Sequence, residues 1–244
     1  MRSILTYVYV VFFLIYSIFP LRKLKRLRRE GKLKEARAFQ YEVCTSFGKA
    51  CIAITGSKVR VIGAENVPKD RSCVFVSNHQ GIFDIHTFLG YAGTAVGLVS
   101  KIENRKLPII GDWMEEMDCV FIERGNPRNS LLQIGKAAKL VQEGLNMVIF
   151  PEGTRSKADV LGEFKQGSLK LATKSKAPII PVTLSGTYHL FEEHNKIIKP
   201  GKITMVFGEP IETKDLTKEE ESVLLEKVVS VISGNLQKIL TNEI

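Results

Sequence analysis

A chain of 244 residues with 44% hydrophobic content can bury one α/β core and carry an appendage, and its composition is that of a globular protein. The formal net charge of +9 is unevenly spread, because residues 22–37 hold nine Lys or Arg against Glu30 and Glu35, a local net of +7. No zinc spacing, RNP-like aromatic motif or recognition-helix pattern accompanies this basic run, so the charge does not mark a nucleic-acid-binding fold, and nucleic acid is excluded as a partner. Cys44, Cys51, Cys73 and Cys119 show neither C-x-x-C nor any metal-ligand spacing. They read as reduced thiols of the core or of a membrane-facing surface, as in a cytosolic compartment.

Residues 4–19 are nearly uncharged and rich in Val, Phe, Ile and Tyr; Pro20 closes the run, and the basic cluster begins two residues later. As a helix, roughly 16 residues cover about 24 Å, against a hydrocarbon core of about 30 Å, so both shallow monotopic insertion and a span fit. A secretory signal would carry its basic residues before the apolar stretch and a small-residue cleavage site after it; here most charges follow, and no A-x-A-like site is present. The cluster predicts attachment to the cell membrane at its cytoplasmic face, drawn to the anionic headgroups of membrane lipids.

Over residues 33–55, Ala36, Phe39, Val43, Phe47, Ala50 and Ile54 recur at three- and four-residue spacings, which predicts an amphipathic helix. With the first segment it would form a membrane-associated helical hairpin turning near Gly31. Seven apolar runs follow, at 59–62, 74–77, 94–100, 119–122, 147–150, 179–185 and 203–207. Several are apolar at consecutive positions, the pattern of strands covered on both faces, while 129–143, 165–176 and 215–244 are helical in pattern. The prediction is an α/β fold, a mixed or parallel sheet covered by helices, with residues 1–57 as anchoring helices and 58–244 as the α/β domain.

The run at 74–77 ends in a polar corner, Asn78-His79-Gln80-Gly81-Ile82-Phe83-Asp84. On a continuous helix, positions five apart point away from each other, but a turn at Gly81 can bring His79 and Asp84 together. Asp84 would then open a helix over 84–92, and its carboxylate could accept one ring N–H of His79, leaving the other nitrogen as a base. Read singly, Asp84 is an N-cap and His79 a polar strand end. His86, His189 and His194 lack a comparable partner spacing and are assigned to surface or packing.

This corner resembles the N-H-x-x-x-x-D signature of the glycerolipid acyltransferases. Three later stretches resemble that family's other blocks in the same order: Phe121-Ile122-Glu123-Arg124-Gly125, Phe150-Pro151-Glu152-Gly153-Thr154-Arg155-Ser156, and Ile180-Pro181-Val182. The resemblance covers about residues 70–210. It implies transfer of a fatty acyl group from acyl-CoA or acyl-carrier protein to the sn-2 hydroxyl of lysophosphatidate, giving phosphatidate, with His79 as base, Asp84 as its orienter and no cofactor or metal. The blocks report the reaction better than the headgroup, so another lysophospholipid or an amino-lipid stays open as acceptor. The anchor and basic run alone would equally suit a non-catalytic membrane-binding module.

The same resemblance gives Arg124 the acceptor's phosphate, with Lys101 and Arg155 as further candidates; an ion pair with Glu123 is the structural alternative for Arg124. Asn78, Glu152, Gly153 and Thr154 complete the expected substrate-binding set. Gly153 would let backbone amides approach the substrate. Glu152 would either orient Arg155 or a substrate hydroxyl, or anchor its own loop. Pro181 would shape the pocket. Gly162-Glu-Phe-Lys-Gln-Gly167-Ser168 is not a Walker A loop, since Ser168 stands where the essential Lys belongs; Lys165 within it is a further candidate for the anion site. The absence of a G-x-S-x-G elbow argues against a serine nucleophile.

Overall fold

The computed structural model describes residues 2–244. One seven-stranded sheet runs in the order β1-β7-β6-β2-β5-β3-β4. Its strands are β1 (Lys58–Ile62), β2 (Val74–Ser77), β3 (Val96–Lys101), β4 (Val120–Ile122), β5 (Asn146–Ile149), β6 (Ile179–Ser185) and β7 (Lys202–Phe207). All seven predicted strands are present, with ends shifted by at most two residues. The sheet is mixed: only β6 and β7 pair antiparallel. Strands β2 to β6 are therefore parallel, and their carboxyl ends share one edge.

Every residue of β2 and β6 is buried. This explains their unbroken apolar runs, because both faces of the sheet are covered. Alternation then sorts the β2 side chains. Phe75 meets Phe88 and Phe207 edge-on at 6.0 and 5.9 Å, while Val74 and Val76 point to the other face, into the cluster holding Val141, Val228 and Ile232. Helices α4 (Phe83–Tyr91) and α3 (Leu33–Ile54) lie on the Phe75 side; α6 (Pro127–Gln142) and α8 (Lys218–Leu240) lie on the Val76 side. The expected 165–176 helix is a 3-10 turn, Gln166–Leu169, followed by α7 (Lys170–Ser175).

The N-terminal segment folds as α1 (Arg2–Tyr16) and α2 (Ile18–Arg29), bent by 41° at Ser17. The Ser17 hydroxyl donates to the Leu14 carbonyl at 2.8 Å and accepts Trp113 Nε1–H at 3.0 Å, which pins the bend to α5 (Ile110–Glu116). Pro20 falls in the first turn of α2, where its missing N–H costs no helical bond. The basic run is thus itself a helix. Leu21, Leu24 and Leu27 are buried on one side, and Arg28 forks onto Asp118 at 2.9 and 2.5 Å. Gly31, at φ +72°, turns the chain into α3, completing the expected hairpin.

Helix α3 then packs directly on α4. A Cβ on Gly48 would lie 2.5 Å from the Gly90 amide nitrogen and from the His86 carbonyl, so α3 and α4 cross at backbone contact. On α1, Ile4, Tyr7, Val11, Phe12 and Ile15 remain more than half exposed. Among the described residues no single helix is long and apolar enough to cross a membrane, though α1 and α2 together meet the length and composition of a broken span.

Candidate active site

The site is built where β2 leaves the sheet. Asn78 is fully buried; its amide donates to the Leu184 carbonyl and accepts the Leu184 N–H, both at 2.8 Å. Those bonds lock the end of β2 to β6 and leave no exposed group for the substrate contact expected of Asn78. The next residue, His79, donates its backbone N–H to Glu152 Oε1 at 2.8 Å. The chain then turns through Gly81 into α4.

Asp84 lies in the first turn of α4 but does not cap it; Ile82 is the N-cap and makes no side-chain cap bond. Instead the buried Asp84 carboxylate folds back. Its Oδ2 accepts His79 Nδ1–H at 2.6 Å and the Gly81 N–H at 2.9 Å, and its Oδ1 accepts the Thr187 hydroxyl. With Nδ1 the donor, Nε2 is the basic nitrogen. Stacking on Phe150, at 4.2 Å between centroids and 24° between planes, fixes the imidazole from below, and Phe150 is braced edge-on by Phe88. The His79 side chain is 17% exposed, and Nε2 bonds to no other described residue.

The shared carboxyl edge gathers the expected cations. Lys101 closes β3 in register with Ile122 of β4 and is exposed, and Arg124 follows two residues after Ile122. Arg124 does not pair with Glu123; it donates to the Gly153 carbonyl, while Glu123 accepts from Asn126 at 3.1 Å. The Lys165 ammonium lies 3.3 Å from where a Cβ on Gly153 would be, so two cations flank this glycine, whose φ is +65°. Thr154 is exposed.

Glu152 resolves as a loop anchor. Its two oxygens accept backbone N–H groups, from His79 at 2.8 Å and Gly162 at 3.0 Å. Burial pushes its carboxyl pKa up, and these two bonds oppose the shift. The 150–157 loop is tied to the catalytic corner a second way, by the Ser156 and Lys157 amides donating to the His79 and Gln80 carbonyls at 2.8 and 3.1 Å. Arg155 pairs with Glu192 at 2.7 Å.

The remaining histidines are outside the His79–Asp84 pair. His86 packs between Phe47 and Phe83, and its pKa is pushed down to about 4 by burial. His189 sits between Glu193 and Asp159, at 2.8 and 3.4 Å, and His194 lies 3.4 Å from Glu193. All four cysteines are buried, free thiols, whose pKa burial raises to about 12, far from nucleophilic thiolates. Among the described residues no group of three or more His, Cys, Asp or Glu is arranged to hold a metal ion.

An imidazole 17% exposed and oriented by a buried carboxylate, at the carboxyl edge of an α/β sheet where Arg124 and Lys165 flank Gly153, is an arrangement suited to general-base chemistry. The family profile described as Acyltransferase matches residues 58–185, and the chain belongs to that family. It is 31% identical over 197 residues to a 1-acyl-sn-glycerol-3-phosphate acyltransferase of Borreliella burgdorferi, covering 79% of this chain and 77% of that protein. It is 36% identical over 156 residues to a chloroplastic 1-acyl-sn-glycerol-3-phosphate acyltransferase of Brassica napus, covering 63% of this chain; the chain spans only 45% of that relative's length. The crystal structure of the Thermotoga maritima 1-acyl-sn-glycerophosphate acyltransferase PlsC superimposes with a TM-score of 0.84 at 31% identity, covering 98% of this chain and 94% of that one.

Proposed function

We propose that the protein transfers a fatty acyl group from an acyl thioester, acyl-CoA or acyl-carrier protein, to the sn-2 hydroxyl of 1-acyl-sn-glycerol-3-phosphate, forming phosphatidate. The observation that carries this reading is the 2.6 Å His79 Nδ1–Asp84 contact with Nε2 left open. Nε2 takes the hydroxyl proton as the oxygen attacks the thioester carbonyl, and Asp84 stabilises the imidazolium that forms. The tetrahedral intermediate collapses with cleavage of the C–S bond, and the imidazolium proton is available to the departing thiolate. The products are an ester and a free thiol, and no acyl-enzyme is needed.

Arg124, Lys165, Lys101 and Arg155 supply positive charge for the acceptor's phosphate, Arg124 with a planar fork suited to it. The exposed apolar side of α1 and the cations of α2 would seat residues 1–57 on an anionic membrane at its cytoplasmic face, with 58–244 carrying the chemistry. Names of relatives in Borreliella and Brassica and of the Thermotoga structure support the acceptor.

The test is transfer by the protein reconstituted in liposomes, supplied with one acyl-CoA and a panel of lysophosphatidate, other lysophospholipids and glycerol-3-phosphate, with products identified by mass. Phosphatidate formed from lysophosphatidate alone is the expected result. Product from a different acceptor only would overturn the headgroup assignment. Arg124→Ala is expected to raise the acceptor KM, and an unchanged KM would remove Arg124 from the phosphate site.

A further inference from the structure

Glu192 lies two residues beyond the 3-10 turn Tyr188–Leu190 and belongs to none of the four sequence blocks. Its side chain is 6% exposed. Oε1 accepts both the Ile82 N–H, at 2.8 Å, and Arg155 Nη1–H, at 2.7 Å. Oε2 is buried and has no hydrogen-bond partner. A Cβ on Gly81 would come within 2.6 Å of that oxygen and within 3.1 Å of the Tyr188 Cα, so the carboxylate lies directly against the backbone of the His79–Asp84 turn. Only glycine fits there without displacement.

One buried carboxylate thus grips two parts of the site at once. Among the described residues Arg155 is the only cation paired with it, and a buried charge so held resists loss of its partner. Arg155 is itself 38% exposed and engages Glu192 through one guanidinium nitrogen, so its other donors remain for a second anion. We infer that Glu192 is a positioning residue that holds Arg155 toward the acceptor's phosphate and couples that cation to the turn carrying His79 and Asp84. This rests on the acyl-transfer reading and adds to it a device that places phosphate recognition and the base in fixed register.

The test is steady-state kinetics of the full chain in liposomes, with lysophosphatidate and an acyl-CoA, for wild type, Glu192→Gln, Arg155→Ala and the double variant. Glutamine keeps an acceptor for the Ile82 N–H and removes the charge that holds Arg155. Glu192→Gln is expected to raise the acceptor KM about tenfold, leave the acyl-CoA KM unchanged and keep kcat within about twofold. In the Arg155→Ala background it should add no further rise, since the two act as one unit. If Glu192→Gln does not fold, Glu192→Asp tests the same link, since the shorter carboxylate draws back from Arg155, with the acceptor KM again expected to rise alone. An unchanged acceptor KM, or equal losses with both substrates, overturns the inference while leaving the activity standing. Wild-type protein that transfers nothing to lysophosphatidate overturns the functional reading and this inference together.

Discussion

Thr187 donates its hydroxyl to Oδ1 of Asp84, on the far side of the carboxylate from the oxygen that holds His79. The carboxylate plane is thereby fixed from three directions: the imidazole, the Gly81 amide and a hydroxyl from the loop after β6. Thr187 is a support for the catalytic pair that touches no reacting atom. Thr187→Val keeps the shape and removes the donor, leaving Oδ1 buried without its partner. The expected loss is about 1–3 kcal/mol of stability, together with a fall in kcat of about tenfold at unchanged KM values. Chemical denaturation and kinetics on the same preparation check both; a stability loss with full kcat would make Thr187 purely structural.

Asp84→Asn tests the orienting role of the carboxylate. An amide either keeps its oxygen on His79 and Gly81 and turns its NH2 toward the Thr187 hydroxyl, without the charge that stabilises the imidazolium, or presents that NH2 to both His79 and Gly81 and disrupts the bond that keeps the proton on Nδ1. A fall in kcat of about 10²- to 10⁴-fold is expected, the range set by general-base loss and by tautomer inversion in comparable triads. Activity within tenfold of wild type would show that Nε2 does not depend on Asp84.

Glu152→Gln replaces an acceptor pair by one acceptor and one donor, while two backbone N–H groups, of His79 and Gly162, still point at it. One of them must lose its partner. The variant is expected to lose about 1–3 kcal/mol and to release the 150–157 loop from the catalytic corner, measured as faster amide exchange at Gly162 and His79. Unchanged exchange at both amides would contradict the anchor role.

The strand pattern and the His79–Asp84 contact were legible in the sequence for physical reasons that the structure makes plain. β2 and β6 are covered on both faces, so their apolar runs are continuous, and the His79–Asp84 spacing fits the turn between β2 and α4, where the Gly81 N–H donates to the same Asp84 oxygen as His79. The supports were not legible. Thr187 and Glu192 lie 103 and 110 residues from the groups they bind, and no local periodicity links such positions. Asn78 was expected at the substrate as the first residue of the motif, yet it faces β6 as a buried lock. The cations of α2 hid a helix whose buried stripe is only Leu21, Leu24 and Leu27.

His86 supplies a pH signature outside the site. Its folded pKa of about 4 lies below the ordinary 6.5, because burial disfavours the charged ring. Between these values the unfolded chain binds the extra proton, so stability falls as pH drops from 6.5 toward 4 and is unaffected above that window. The full loss is up to about 3 kcal/mol. Urea midpoints of wild type and His86→Gln at pH 7, 5.5 and 4.5 should converge as pH falls, the variant showing the flatter profile; parallel profiles would contradict the assignment.

The most direct test of the central claim is acyl transfer from acyl-CoA to lysophosphatidate by His79→Ala, reconstituted in liposomes beside wild type, with membrane binding measured in the same samples. Loss of phosphatidate formation with membrane binding retained is the predicted result, since the base is gone and the α1–α2 surface is untouched. Full transfer by the purified variant would contradict His79 as the general base.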